Sequence, residues 1–124
     1  MAEEIEPVEM WCEGQEWCPI TTTATLIARK WHPVIIHRLL KAGPLGFNDL
    51  KEEVDGISSK VLSDSLDDLE SKQLVDRTIV SEKPVRVEYA LTPMGASLEP
   101  VIDEMAEWGQ EHLTPADDRQ SSLA

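Results

Sequence analysis

Hydrophobic and polar positions divide the chain into a helical half, a short alternating stretch and a last helix. The clearest helical pattern runs from Gly56 to Glu70, where Leu62, Leu66 and Leu69 recur at i, i+4 and i+7 and so share one face. Gly56 breaks the preceding element, and Ser58 or Ser59 is placed to cap the first turn. The outward face of this helix carries Lys60, Ser63, Asp64 and Asp67. Upstream, Cys18-Pro19 opens a short helix over roughly Thr22 to Ala28, with Leu26 and Ile27 inward. Pro33 starts a second helix through Lys41, with Ile35, Ile36, Leu39 and Leu40 at core spacing, and Ala42-Gly43-Pro44 stops it. Phe47, Leu50, Val54 and Ile57 mark a third, short helix beginning at Gly46 or Phe47, and Asp55-Gly56 forms the turn that follows.

After Lys72 the period changes. Val75 to Val80 is rich in β-branched residues, and Ser81-Glu82-Lys83-Pro84 is turn chemistry. Val85, Val87, Tyr89 and Leu91 then alternate with polar or small residues, which predicts a half-buried strand and, with the preceding run, a β-hairpin. Thr92-Pro93 caps a final helix through about Leu113. Its apolar residues Leu98, Val101, Ile102, Met105 and Trp108 make a stripe broader than one small core needs. The order helix, helix, short helix, turn, helix, hairpin, helix is that of a winged helix-turn-helix: a mainly α fold with a β-hairpin wing.

Length and charge refine this picture. At 124 residues the chain suits one domain, and its 41% hydrophobic content excludes wholesale disorder. The pattern places an acidic arm at residues 1–17, the domain at 18–113 and a loose tail at 114–124. No apolar run is long enough to span a membrane, and the acidic start lacks the pattern of a signal peptide, so a cytoplasmic setting is expected. In that setting Cys12 and Cys18 should be thiols. The formal charge is −13, and the body from Cys18 to Leu113 still holds sixteen acidic against ten basic side chains. Nucleic-acid-binding domains are usually basic. The charge therefore keeps open a second reading, an acidic winged-helix module that binds a protein. It is also what adaptation to a very salty cytoplasm would produce. No nucleophile–base pairing, glycine-rich phosphate loop or metal-ligand spacing is present, which argues against an enzyme, a cofactor or a metal.

Several fragments, in order, carry a family likeness. They are Cys18-Pro19-Ile20, Lys30-Trp31, Phe47-Asn48-Asp49-Leu50, Gly56-Ile57-Ser58-Ser59-Lys60-Val61-Leu62 and Leu66 with Leu69-Glu70. Leu74-Val75-Asp76-Arg77, Arg86-Val87-Glu88-Tyr89, Leu91-Thr92 with Gly95, and Trp108-Gly109 complete the set. Together they resemble the HxlR-type winged helix-turn-helix regulators, relatives of the MarR group, over Cys18 to about Leu113. The resemblance implies a homodimeric regulator that binds a palindromic operator in double-stranded DNA, with dimer contacts from the first and last helices. It also implies that the cysteine of the Cys-Pro-Ile position senses oxidants or electrophiles in some members, so an oxidant or small-molecule effector is open. Where the family commonly has long polar or basic residues, this chain has Asp64 and Ser65.

The candidate DNA contacts follow. Ser58, Ser59 and Lys60 sit at a helix N-terminus, where free N–H groups and the dipole favour a phosphate, though capping alone also explains the serines. Lys60 and Ser63 are placed to reach base edges, and Asp64 to accept from cytosine N4. Lys83 and Arg86 on the hairpin suit backbone or minor groove, with Glu88 or a dimer partner as the competing assignment for Arg86. Lys30 is a further phosphate candidate. Cys18 precedes a helix whose dipole lowers a thiol's pKa, which suits sensing; a small packed side chain is the plainer role. Trp31 and Phe47 read as core, and Trp108 with the stripe of Leu98, Val101, Ile102 and Met105 as dimer interface.

Overall fold

The structure, a computed structural model, describes residues 17–113. The arm and the tail expected at the two ends lie outside the described residues, apart from the exposed Trp17. Helix α1 spans Pro19–Ile27, α2 His32–Ala42, α3 Phe47–Glu53 and α4 Ser59–Ser71. Strand β1 is Leu45–Gly46, β2 Val75–Glu82 and β3 Val85–Leu91, followed by α5 at Pro93–Ala96 and α6 at Glu99–His112. Among the described residues no helix is long and apolar enough to cross a membrane.

The core sits where α2, α3, α4 and the base of the hairpin meet. Ile35, Ile36 and Leu39 of α2 bury against Leu50 of α3, Leu62, Leu66 and Leu69 of α4, and Leu74 and Val75 at the start of β2. Each such aliphatic side chain contributes roughly 1.5–3 kcal/mol on burial. Val54 and Ile57 close the turn between α3 and α4 and are buried as well. Leu26, Ile27, Trp31 and Phe47 pack on this cluster from its margin. The apolar spacing of the three central helices therefore matches their buried faces.

Local chemistry sets the element ends. Helix α1 begins at Pro19, three residues earlier than the sequence pattern indicates, because proline's fixed φ and missing N–H suit a first helical turn. Helix α2 stops at Gly43, whose φ of +82° is left-handed and whose N–H donates to the Leu39 carbonyl. The Ser58 hydroxyl accepts from the Val61 N–H at 3.1 Å and caps α4.

Three expectations are corrected. The hairpin is joined by a third strand, giving the antiparallel order β1-β3-β2 with Leu45 opposite Tyr89 and Gly46 opposite Glu88. A two-residue strand carries no readable period, so the alternation could not show it. Val85 is exposed rather than half-buried, because it lies at the tip of the hairpin beyond the core. The single last helix is two: α5, capped by Thr92, and α6, with a break at Ser97 and Leu98. Pro100 explains the break, since its ring clashes with the carbonyl four residues back and it has no N–H to donate.

Candidate nucleic-acid interface

Helices α3 and α4, joined by the turn from Val54 to Ser58, form the helix-turn-helix, and β2 with β3 forms the wing. With Leu62, Leu66 and Leu69 buried, the opposite side of α4 is fixed outward. Ser59, Lys60, Ser63, Asp64 and Asp67 are all exposed on it, whereas Ser65 turns inward. The helix thus offers a capped N-terminus and a polar face to solvent.

Lys60 and Asp64 are not independent. The ammonium lies 3.1 Å from Asp64 Oδ2, one turn along the helix. An exposed pair of this kind is weak and exchanges readily for a phosphate or a base edge. It does cancel the charge of Lys60, and Asp67 leaves the face net acidic, so α4 carries no net attraction for DNA by itself.

The remaining candidates lie on other elements. Lys83 occupies the hairpin turn and Arg86 the start of β3, both exposed. Among the described residues no ion pair joins Arg86 to Glu88. The register of the wing shifts at Val80, between the Ile79–Val87 and Ser81–Arg86 pairs. Lys30 lies in the turn between α1 and α2, its ammonium 4.9 Å from the centre of the Trp31 ring. The Trp31 indole in turn packs on the core cluster, and its edge is the nearest neighbour a side chain at Gly56 would meet.

Cys18 is the residue just ahead of α1, half-buried and disulfide-bonded. Cys12 lies outside the described residues. The expectation that Cys18 is a thiol is therefore corrected. The redox compartment sets which state is favoured, but the fold decides whether a second sulfur comes within bonding distance.

Helix α6 divides its stripe between two sides. Ile102 is buried and Leu98 packs on the core, whereas Val101, Met105 and Trp108 are exposed. With Pro100 and Leu113, the exposed three line an open apolar hollow of about 770 Å³. Among the described residues no three His, Cys, Asp or Glu side chains are placed to hold a metal ion. The sequence reading missed Arg29, His32, Asp68 and Lys72, which meet behind α4. Only the four-residue spacing of Asp68 and Lys72 was a signal for them.

A capped helix presented polar side out, preceded by a short helix and turn and flanked by a β-hairpin, defines a winged helix-turn-helix protein. The sequence profile of the HxlR-like helix-turn-helix family matches residues 26–117, and the chain belongs to that family. It is 36% identical over 105 residues to the HTH-type transcriptional regulator YodB of Bacillus subtilis, covering 84% of this chain and 93% of YodB. The fold matches a MarR-family regulator of Porphyromonas gingivalis W83 with a TM-score of 0.73 at 38% identity, over 81% of this chain and 97% of that one. It also matches the redox regulator HypR in its reduced form, with a TM-score of 0.70 at 31% identity, over 75% and 91% of the two chains. The chain is a transcriptional regulator of the helix-turn-helix type.

Proposed function

We propose that the protein is a homodimer that binds a palindromic operator in double-stranded DNA, with α4 as recognition helix. The observation that carries this is the outward polar face of α4, set by the burial of Leu62, Leu66 and Leu69 and opened by the Ser58 cap. Ser58, Ser59 and Lys60 bind phosphate at the helix start, and Lys60, Ser63 and Asp64 read base edges. Lys83 and Arg86 hold the flanking backbone from the wing, and Lys30 adds a phosphate contact. A two-fold dimer places the two α4 helices in successive major grooves, roughly 34–36 Å apart.

The test selects duplexes bound by the purified full chain from a random-sequence library and measures affinity for the enriched duplex across salt. Lys60→Ala is expected to weaken binding about tenfold while the thermal unfolding curve stays in place, since Lys60 is exposed. Unchanged affinity removes Lys60 from the interface. If no duplex is enriched at any salt, the DNA reading fails and the acidic protein-binding module is the reading that remains.

A redox response is the second part of the proposal, favoured by the bonded state of Cys18 at the start of α1. Structures of YodB include a diamide-treated and a quinone-bound form, which supports the same direction here. Wild type is expected to change its operator affinity between reducing conditions and peroxide, and Cys18→Ser to lose that difference. Identical responses in the two proteins make Cys18 a packing residue. Salt is held fixed, because phosphate contacts make affinity steeply salt-dependent.

A further inference from the structure

One carboxylate oxygen on α4 gathers three basic groups. Asp68 Oδ2 lies 2.7 Å from His32 Nε2, 2.8 Å from Lys72 Nζ and 3.8 Å from Arg29 Nη1. His32 is the first residue of α2 and is fully buried. Arg29 belongs to the turn before it, and Lys72 is the residue that ends α4. The Lys72 ammonium also donates to the Thr25 carbonyl of α1 at 3.3 Å. The turn after α1, the start of α2 and the far end of α4 thus meet at Asp68, and Lys72 extends the cluster to α1. His32 thus ties the start of α2 to the far end of α4, and the neighbouring Trp31 packs on the core cluster.

The apolar contacts of α4 do not by themselves fix its orientation. Burial of Leu62, Leu66 and Leu69 is favourable over a range of small rotations and slides, because the hydrophobic effect is non-directional. A charge-assisted hydrogen bond is short and directional, and so selects one orientation from that range. Reading base edges needs that selection, since the side chains must meet fixed donors and acceptors in the groove.

We propose that Asp68 is a positioning residue, which holds the recognition helix in its DNA-reading orientation by anchoring it to His32 and, through Lys72 and Arg29, to α1 and its following turn. This rests on the reading of α4 as the recognition helix. Asp68 does not itself read DNA; it acts through the helix it anchors.

The protonation states fit this role. Hydrogen bonds from Lys72 and His32 hold the Asp68 carboxyl below its ordinary range, so it is ionised at neutral pH. Burial holds His32 below the ordinary imidazole value, against the hydrogen bond and charge of Asp68, which raise it, while the charges of Lys72 and Arg29 lower it further. Neutral His32 donates its Nε2–H to Asp68, and its Nδ1 is buried without a partner. Protonation puts a donor on Nδ1 with no acceptor and a cation beside Lys72 and Arg29. Because the folded state binds this proton less readily than the unfolded one, the stability from His32 is complete above about pH 6.5 and falls as pH drops below it.

The test uses the full chain, the selected duplex and the variants Asp68→Asn, His32→Leu, His32→Gln and Lys60→Ala. Asp68→Asn and His32→Leu are expected to weaken binding about tenfold at pH 7.5. His32→Gln, which restores an N–H donor toward Asp68 but does not titrate, is expected to recover most of that loss. It should also remove the part of the fall in stability below pH 6.5 that comes from His32, read by thermal unfolding across pH. In the Asp68→Asn protein the His32 imidazole, followed by NMR, should titrate lower than in wild type. If Lys60→Ala weakens binding but the Asp68 and His32 variants match wild type in affinity and pH profile, the positioning role is wrong and the recognition helix stands. If none of the variants changes affinity, the recognition-helix reading falls instead. Should Asp68→Asn fail to fold, the His32 pair decides: equal affinity of the Leu and Gln variants overturns the proposal. Should wild type bind no duplex, the recognition-helix reading fails and the positioning role falls with it.

Discussion

Trp108→Glu is expected to yield a folded monomer that has lost its operator affinity by a factor on the order of 10²–10⁴, because the avidity of two linked half-sites disappears. The side chain is 56% exposed in the single chain, and its neighbours Val101 and Met105 are 37% and 45% exposed. Its ring stacks on His112, at 4.7 Å between ring centroids, near the end of α6. The fold therefore loses little, since Ile102 and Leu98 on the inner side of the helix are untouched. The proposed dimer loses much. In a two-fold interface the substitution appears twice, so two carboxylates enter one apolar contact. Helix α6 already carries Glu99, Asp103, Glu104, Glu107 and Glu111, which adds like-charge repulsion between the copies. Sedimentation, far-UV circular dichroism and operator titration of the same sample check the three parts. A variant that still sediments as a dimer places the interface elsewhere. A monomer that binds the operator as tightly as wild type removes the dimer from the mechanism.

The largest expected effect on stability is at Gly95. This residue is buried at the third position of α5, and a Cβ built there overlaps the backbone carbonyl of Leu74 and crowds the Leu91 side chain at 3.2 Å. The Leu74 carbonyl is itself held in place, since it accepts the Thr92 N–H at 3.1 Å. Thr92 completes the junction: its hydroxyl accepts from the Gly95 N–H at 3.0 Å and donates to the Gln73 carbonyl at 2.7 Å. No flexible side-chain end is available to move aside, so α5 must shift off the base of the hairpin. Gly95→Ala is expected to destabilise the domain by roughly 2–3 kcal/mol, lowering Tm on the order of 10–20 °C. Thermal and urea unfolding should agree on the loss. A Tm within about 2 °C of wild type, under 1 kcal/mol for a domain of this size, would show that α5 can move away freely.

The family likeness was legible in the sequence because its carriers are local. Leu62, Leu66 and Leu69 fall on one face at any helix spacing, and Ser58 is a cap wherever it precedes such a run. The outward set of Lys60, Ser63 and Asp64 follows from the same period. So does the short helix before the turn, and the hairpin follows from the change to a period of two after Lys72. The assignment of those outward residues to DNA is a different step, since exposure is common to every solvated helix face.

What the tertiary structure decided are relations between distant positions. Residues His32 and Asp68 are 36 positions apart and share no periodicity, so their contact exists only once α2 and α4 are packed. Likewise, the stripe on the last helix looked like one surface, but packing against α2 turns Ile102 inward and leaves Val101, Met105 and Trp108 outside. Gly95 could be read as a small residue; only the approach of the Leu74 carbonyl makes it an obligatory one. Local periodicity fixes which side chains share a face, and the packing of faces fixes which of them meet.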